Sequence, residues 1–195
     1  MSTTIYRDRN KKLCRQRRHV IVHVPIAKKE NSMAYKEVTT KGPIEWAKIF
    51  ESNREMEGYE GAYQECEGAY TIVQVLSKEE FEKLKKAGTQ KKPIQKRLMD
   101  GEIAVKFVRE HLVKKKDGTE VPQAGGAPKV VGPNGKPWDL EEDGLIGNGT
   151  IAEVTNLINT FKGQDGKMIS RTSLTKVKII EHVPYVREEN DEEAA

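Results

Sequence analysis

Two long segments rich in β-branched residues, close to the end of the chain, place the strongest constraint on the fold. Residues 150–161 and 168–184 flank Gly163-Gln-Asp-Gly166, whose composition is typical of a turn. The first segment also fits helical spacing, through Val154, Leu157, Ile158 and Phe161. Because the return segment carries the β-branched run 177–180, we predict a pair of long strands joined by this turn.

Further segments upstream also have the composition of strands. We predict strands at residues 19–24, 44–50, 69–76 and 102–113, and a connecting loop over the polar residues 27–42. Asp117-Gly118 and Asn134-Gly135 are turn signals, the second of them within the glycine- and proline-rich residues 121–137. Residues 51–67 are rich in acids and have no clear period.

One helix is predicted after the strand at residues 69–76. Ser77 is placed as its N-cap with Glu80 completing a capping box, and Gly88 ends it. Pro93 favours a second short helix carrying Ile94, Leu98 and Met99. The predicted fold class is therefore mainly β, an OB-fold-like β-barrel with one or two helices between the early and late strands. A β-sandwich with a peripheral helix would give a similar pattern.

Composition predicts one soluble, cytoplasmic domain. No stretch approaches the roughly 20 apolar residues that cross a bilayer, and the charged N-terminus lacks the apolar core of a signal peptide. Cys14 and Cys66 form no CxxC pair, which predicts ordinary thiols in a reducing compartment. We predict a basic arm at residues 1–18, the folded domain at 19–185 and an acidic disordered tail at 186–195.

The charges are distributed unevenly along the chain. The net charge is +4, but the tail holds five acids and one arginine, so the rest of the chain carries about +8. Seven basic residues fall between Arg7 and Arg18 against Asp8 alone. A basic body with an acidic end is compatible with a polyanionic partner as well as with an ordinary solvated surface.

The sequence offers no convincing catalytic or cofactor site. His19 and His23 can share a strand face, but no cysteine or acidic cluster completes a metal site. Residues 132–136 resemble a phosphate loop only superficially, because the glycine spacing and the Ser/Thr are missing. Glutamates between Glu45 and Glu67 leave a Mg²⁺-dependent nuclease or recombination enzyme as an alternative. We predict no enzyme activity, no metal and no cofactor.

Binding of a single nucleic-acid strand needs cations for the phosphates and flat side chains on which bases stack. Such residues are interleaved on the predicted strand at 102–113 and continue into the loops and the last strand. The candidate DNA-binding residues are Lys106, Phe107, Arg109, Lys114, Lys129, Lys136, Trp138 and Arg171. Phe107 falls on the apolar face of its strand, so a core position is as compatible with the pattern as base stacking.

The C-terminal third resembles a known protein family. Residues 138–150 contain Ile146-Gly-Asn-Gly149 and lead into the long β segment, and residues 173–185 are followed by the acidic end. This is similar to the single-stranded DNA-binding proteins of tailed bacteriophages, in which an I-G-x-G element introduces a barrel strand and a charged tail closes the chain. Gly68-Ala-Tyr70, the strand after it and the helix to Gly88 are similar to the middle section of that family.

The resemblance covers roughly residues 69 to 185. It implies an OB-fold, sequence-tolerant coating of single-stranded DNA in phage replication or recombination, and a tail that recruits a polymerase, helicase, recombinase or nuclease. The tail acids that would do so are Glu188, Glu189, Asp191, Glu192 and Glu193. This tail is short and lacks the terminal aromatic residue often found in the family. The oligomeric state stays open, a homo-oligomer included, and an RNA-binding or structural module is a further alternative.

Overall fold

A computed structural model describes residues 34–94, 99, 101–115, 117–163 and 165–186. Within them, six strands form one mixed sheet in the order β3-β2-β1-β5-β6-β4. The strands are β1 (Ala34–Lys48), β2 (Ala69–Leu76), β3 (Ile103–Glu110), β4 (Lys129–Val131), β5 (Thr150–Lys162) and β6 (Met168–Glu181). Helix α1 (Lys78–Ala87) connects β2 to β3, and two 3-10 turns, Glu51–Asn53 and Tyr59–Gly61, lie between β1 and β2.

Strand β1 lies in the middle of the sheet and joins β2 and β3 on one side to β5, β6 and β4 on the other. It pairs antiparallel with β5 from Ala34 to Ile44, and with β2 from Ile44 onward, so Ile44 lies opposite both Gln74 and Thr150. At Gly42 the backbone passes so close to β2 that a Cβ atom there would lie 2.2 Å from the Val75 carbonyl oxygen. Only glycine fits this contact, which lets the backbones of β1 and β2 approach each other closely.

Side chains join the distant strands β3 and β6. The Arg109 guanidinium donates to the Leu174 carbonyl at 3.3 Å, and Arg171 forms an ion pair with Glu110. These contacts link strands that stand four places apart in the sheet order. The sheet therefore curls toward a barrel in which β3 faces β6 across a seam.

The core fills the interior of this curled sheet. Its members come from β1, β2, β3, β5 and β6 and include Phe81 and Leu84 of α1, both buried, and Val130 of β4 packs against them. Several buried polar residues lie beside them, and the hydrogen bonds of one, Gln74, span three strands. Gln74 is fully buried and accepts a hydrogen bond from the Thr40 hydroxyl at 2.7 Å, while its amide nitrogen donates to the carbonyls of Thr40 and Ala152. The amide therefore links β1, β2 and β5 from inside.

Most of the predicted elements are present. The strand at 69–76, the long pair β5 and β6, and the helix are confirmed, with the Ser77 hydroxyl accepting from the Glu80 amide and Gly88 in the left-handed conformation at φ 100°. Between these two strands the Gly166 backbone N–H donates to the Gly163 carbonyl at 3.0 Å, as in the predicted turn. The helical alternative for residues 150–161 is wrong.

The loop predicted for residues 27–42 is wrong from Ala34 onward. There the chain is the first part of β1, in which alternate residues such as Val38 and Thr40 face inward while Glu37 and Thr39 are exposed. The residues on the exposed face are mostly polar, so the alternation of inward and outward side chains was not recognised as that of a strand. Pro93 and Ile94 are not helical, and residues 95–98 of the second predicted helix lie outside the described residues, as do the strand at 19–24 and the arm at 1–18.

Two further findings concern the described residues. None of their helices is long and apolar enough to cross a membrane. Cys66 is a free thiol, and its Sγ donates to the carbonyls of Tyr63 and Gly68 at 3.3 and 3.1 Å. Burial raises the pKa of this thiol.

Phe107, a DNA-binding candidate from the sequence, lies in the core of the structure. Its ring is fully buried in the core opposite Ile72 of β2, so no base can stack on it in this fold. Of the two interpretations that the sequence allowed, the structure supports the core position.

We expect Phe107→Ala to lower the free energy of unfolding by about 3–5 kcal/mol, because it removes a buried ring and leaves a cavity. Urea denaturation followed by circular dichroism would measure this loss. Phe107→Leu, which conserves most of the volume, serves as the control and should cost less than about 1.5 kcal/mol. An alanine variant as stable as the wild type would contradict the core assignment.

Candidate nucleic-acid interface

One face of the β1-β5-β6 sheet is polar and points away from the core. Because side chains alternate along a strand, the residues that neighbour Val38, Ile158 and Leu174 in the sequence lie on this face. We call it the polar face, and its members are Tyr35, Glu37, Thr39, Lys41, Glu153, Thr155, Leu157, Asn159, Arg171, Ser173, Lys176 and Lys178. It carries four cations and two carboxylates.

A row of three side chains crosses the polar face at one end. Tyr35 is the direct partner of Asn159, and Asn159 is the direct partner of Arg171. Tyr35 is 58% exposed and Arg171 is also exposed. An aromatic ring, an amide and a guanidinium thus stand side by side, which is the combination that stacks on bases and binds phosphates.

A surface cavity of about 530 Å³ lies where this row meets the seam between β3 and β6. Its lining includes all three residues of the row. From the other side of the seam come Val108, Arg109 and Glu110 of β3, Tyr63, Lys91 and the turn at Gln123 and Ala124. Three cations and two tyrosines therefore surround one opening, with Glu110 as the acid among the lining residues.

Arg109 supports the cavity wall from behind. Its guanidinium donates to the carbonyls of Gly126 and Gly125 at 2.7 Å each, to Leu174 at 3.3 Å and to Gln123 at 3.5 Å. Burial lowers its pKa, although arginine stays protonated. With its donors directed at the backbone, Arg109 holds the turn at residues 121–126 against β6.

Lys106 is paired within the protein. Its amine lies 3.2 Å from a carboxylate oxygen of Glu55 and 5.6 Å from the centre of the Tyr63 ring. Burial raises the pKa of Glu55, but hydrogen bonds from Lys106 and Thr71 and the charges of Lys106 and Lys48 outweigh it, so the pKa is lowered overall. Lys106 therefore lies beside the cavity with a carboxylate already bound.

The remaining candidates lie outside the cavity lining. Lys129 begins β4 beside Lys176 of β6, which extends the basic part of the polar face. Lys114 and Lys136 are exposed; Lys114 forms an antiparallel bridge with Glu120, and Lys136 lies in the turn after β4. Trp138 is half-buried, donates its indole N–H to the Gly144 carbonyl at 3.0 Å and meets the His182 ring edge-on. These contacts give Trp138 a structural role in the loop at residues 138–144.

Sequence reasoning did not find Tyr35, Tyr63 and Lys91. Tyr35 was hidden in the predicted loop, although its alternation with Glu37 and Thr39 was a usable signal once a strand was considered. Tyr63 and Lys91 lie in irregular segments and reach the cavity only through tertiary contacts. No period in the sequence could have placed them there.

Within the described residues, no group of three or more His, Cys, Asp or Glu side chains is arranged to hold a metal ion. The proposed partner-binding acids Glu188, Glu189, Asp191, Glu192 and Glu193 lie beyond the described residues.

The chain is similar to solved structures of phage proteins. A single-stranded DNA-binding protein encoded by bacteriophage T7, gp2.5, aligns with a TM-score of 0.51 and 15% identity, over 83% of this chain and 99% of that one. The single-stranded DNA-binding protein of bacteriophage Enc34 in complex with ssDNA aligns with a TM-score of 0.46 and 12% identity, over 78% and 89% of the two chains.

No family model and no curated protein matches the sequence. The likeness to the T7 protein shows a shared fold, so the mainly β, OB-fold-like architecture predicted from the sequence is confirmed.

We expect Arg109→Lys to release the turn at residues 121–126, because an ammonium cannot reproduce the forked contacts of a guanidinium. Hydrogen exchange would report this as faster exchange of the Ala124 and Gly126 amides, which donate to the carbonyls of Val121 and His111. Arg171→Lys, the matched control, should leave these amides protected. Unchanged exchange in Arg109→Lys would contradict the positioning role.

Proposed function

We propose that this chain binds single-stranded DNA without strong sequence preference, on the polar face and in the cavity beside it. The observation that carries the proposal is the row of Tyr35, Asn159 and Arg171 across three neighbouring strands. Support comes from the fold, which is shared with a phage protein that binds single-stranded DNA.

The chemistry of the site favours an unpaired strand over a duplex. The exposed face of Tyr35 offers a stacking surface that a base can use only when it is not paired. Arg171 stands two strands away, about 10 Å across the sheet at roughly 4.8 Å per strand. A cation at that distance can bind a phosphate of the DNA strand whose base stacks on Tyr35. Such contacts read no base edges, which gives little sequence preference.

We propose that the protein is non-enzymatic, needs no cofactor and works in the cytoplasm of an infected host cell. It coats and protects single-stranded DNA during phage replication or recombination. The acidic residues from Glu188 to Glu193 recruit replication or recombination proteins, such as a polymerase, helicase, recombinase or nuclease, by binding their basic surfaces.

We expect the protein to bind a labelled oligo-dT far more tightly than a duplex of equal length, with affinity that falls steeply as salt rises. Tyr35→Ala should cost about 1–3 kcal/mol of binding by removing one stacking surface. Fluorescence anisotropy titrations at two salt concentrations would measure both effects. Tyr59→Ala is the matched control, because Tyr59 is 83% exposed and lies outside the cavity lining.

Equal affinity for duplex and single strand would contradict the proposal. The same titrations with an RNA oligonucleotide test the RNA-binding alternative, which tighter binding to RNA would favour. Incubating the labelled oligonucleotide with Mg²⁺ tests the nuclease alternative, and loss of the full-length strand would support it.

We expect deletion of residues 187–195 to tighten binding to single-stranded DNA at low salt. The deleted segment carries five acids and competes with DNA for the basic surface, and the gain should fade as salt screens the charges. Titrations of the full and shortened chains from low to high salt would measure it. An unchanged affinity at low salt would rule out the competition.

A further inference from the structure

Lys91 lies in the wall of the cavity and has no counter-ion among the described residues. It is partly buried, lines the cavity and takes part in no ion pair among the described residues. The charged group that acts on it is a second cation, Lys106. Burial lowers the pKa of its amine, and Lys106 lowers it further. A cation kept in such surroundings marks a candidate binding site for an anion.

The chain segment that carries Lys91 is fixed onto β6. Helix α1 ends at Gly88, and the next two residues hydrogen-bond to the strand. The Thr89 hydroxyl lies 2.7 Å from the Thr172 hydroxyl. The side-chain amide of Gln90 donates to the Met168 carbonyl and accepts a hydrogen bond from the backbone N–H of Ser170. The Lys91 amide then donates to the Thr89 hydroxyl at 3.3 Å. We call residues 89–91 the strap. Its hydrogen bonds to β6 hold the Lys91 backbone in place before any ligand arrives.

A second polar group in the same cavity lacks a partner. The Ser170 hydroxyl is buried and makes no hydrogen bond, although Ser170 lines the cavity. A buried hydroxyl without a partner costs free energy that a bound acceptor would recover. Glu110, the acid that lines the cavity, is paired with Arg171, and the charge that acts on Lys91 is that of Lys106. Both Lys91 and Ser170 are donors suited to a phosphate oxygen.

We propose that Lys91 binds one backbone phosphate of single-stranded DNA inside the cavity, with the Ser170 hydroxyl as a second donor. This inference rests on the proposed function. It adds a phosphate contact from the strap, in the cavity that is also lined by the row of Tyr35, Asn159 and Arg171. The DNA strand would pass from Tyr35 into the cavity, where its phosphate meets a cation that is paired with no acid of the described residues. The strap costs little ordering on binding, because its hydrogen bonds already exist in the free protein.

The test compares Lys91→Gln with Lys92→Gln in salt-dependent titrations with oligo-dT. The two changes remove the same charge from adjacent residues, but Lys92 is exposed and lies outside the cavity lining. Lys91→Gln should lower affinity about tenfold, as for a lost charge-assisted hydrogen bond. It should also reduce the slope of log affinity against log salt by about 0.7, as for one lost phosphate contact.

Further variants keep the test clear of folding effects. Lys91→Arg should bind nearly as well as the wild type, and Ser170→Ala should lose affinity several-fold without losing thermal stability, because it deletes an unpaired hydroxyl. Thermal unfolding of each variant identifies any that fails to fold. Identical slopes for Lys91→Gln and Lys92→Gln would overturn the proposal.

Two other outcomes are separable. If inorganic phosphate stabilises the wild type more than chloride does at equal ionic strength, and Lys91→Gln loses that effect but binds DNA normally, the site takes a free anion and the proposed strand contact is wrong. If the wild type itself does not bind oligo-dT, the proposed function fails together with the inference. Normal wild-type binding with an unaltered slope in Lys91→Gln refutes the role of Lys91 alone.

Discussion

The buried Gln74 amide and its hydrogen bonds hold the fold in its register. Gln74 is fully buried and joins Thr40 of β1 and Ala152 of β5 to its own strand β2. Buried polar groups are costly unless they are paired, and a slip of one residue would turn this amide out of the core and leave its partners unsatisfied. The Gln74 amide therefore favours the register in which β1, β2 and β5 are paired.

That register decides what the polar face presents. Because Thr40 lies opposite Val154, Tyr35 lies opposite Asn159 farther along the same pair of strands. The β5-β6 pairing contains a shift between Thr155 and Asn156, after which Asn159 lies opposite Arg171. Without that shift a different residue of β6 would occupy the end of the row. The candidate interface is thus a consequence of strand pairing deep in the sheet.

Local patterns predicted the elements whose signals are local. The Ser77 cap, the Gly88 stop and the turn at Gly163 to Gly166 depend on a few adjacent residues, and each is present as predicted. The cavity could not be predicted in this way, since its lining comes from segments far apart in the chain. Arg109 illustrates the limit. Its charge suggested a DNA contact, but its surroundings direct its donors to four backbone carbonyls.

The two arginines show why charge alone does not define a nucleic-acid interface. Arg109 and Arg171 both line the cavity, and both were candidates on the same grounds. Arg109 is held by carbonyl oxygens and is desolvated, so moving it to a phosphate would break contacts that close the seam. Arg171 is exposed, and its partner among the described residues is the Glu110 carboxylate, in a surface pair of the kind that contributes little to stability. In the proposed function, Arg171 is therefore the arginine whose protein anion a phosphate replaces at small cost.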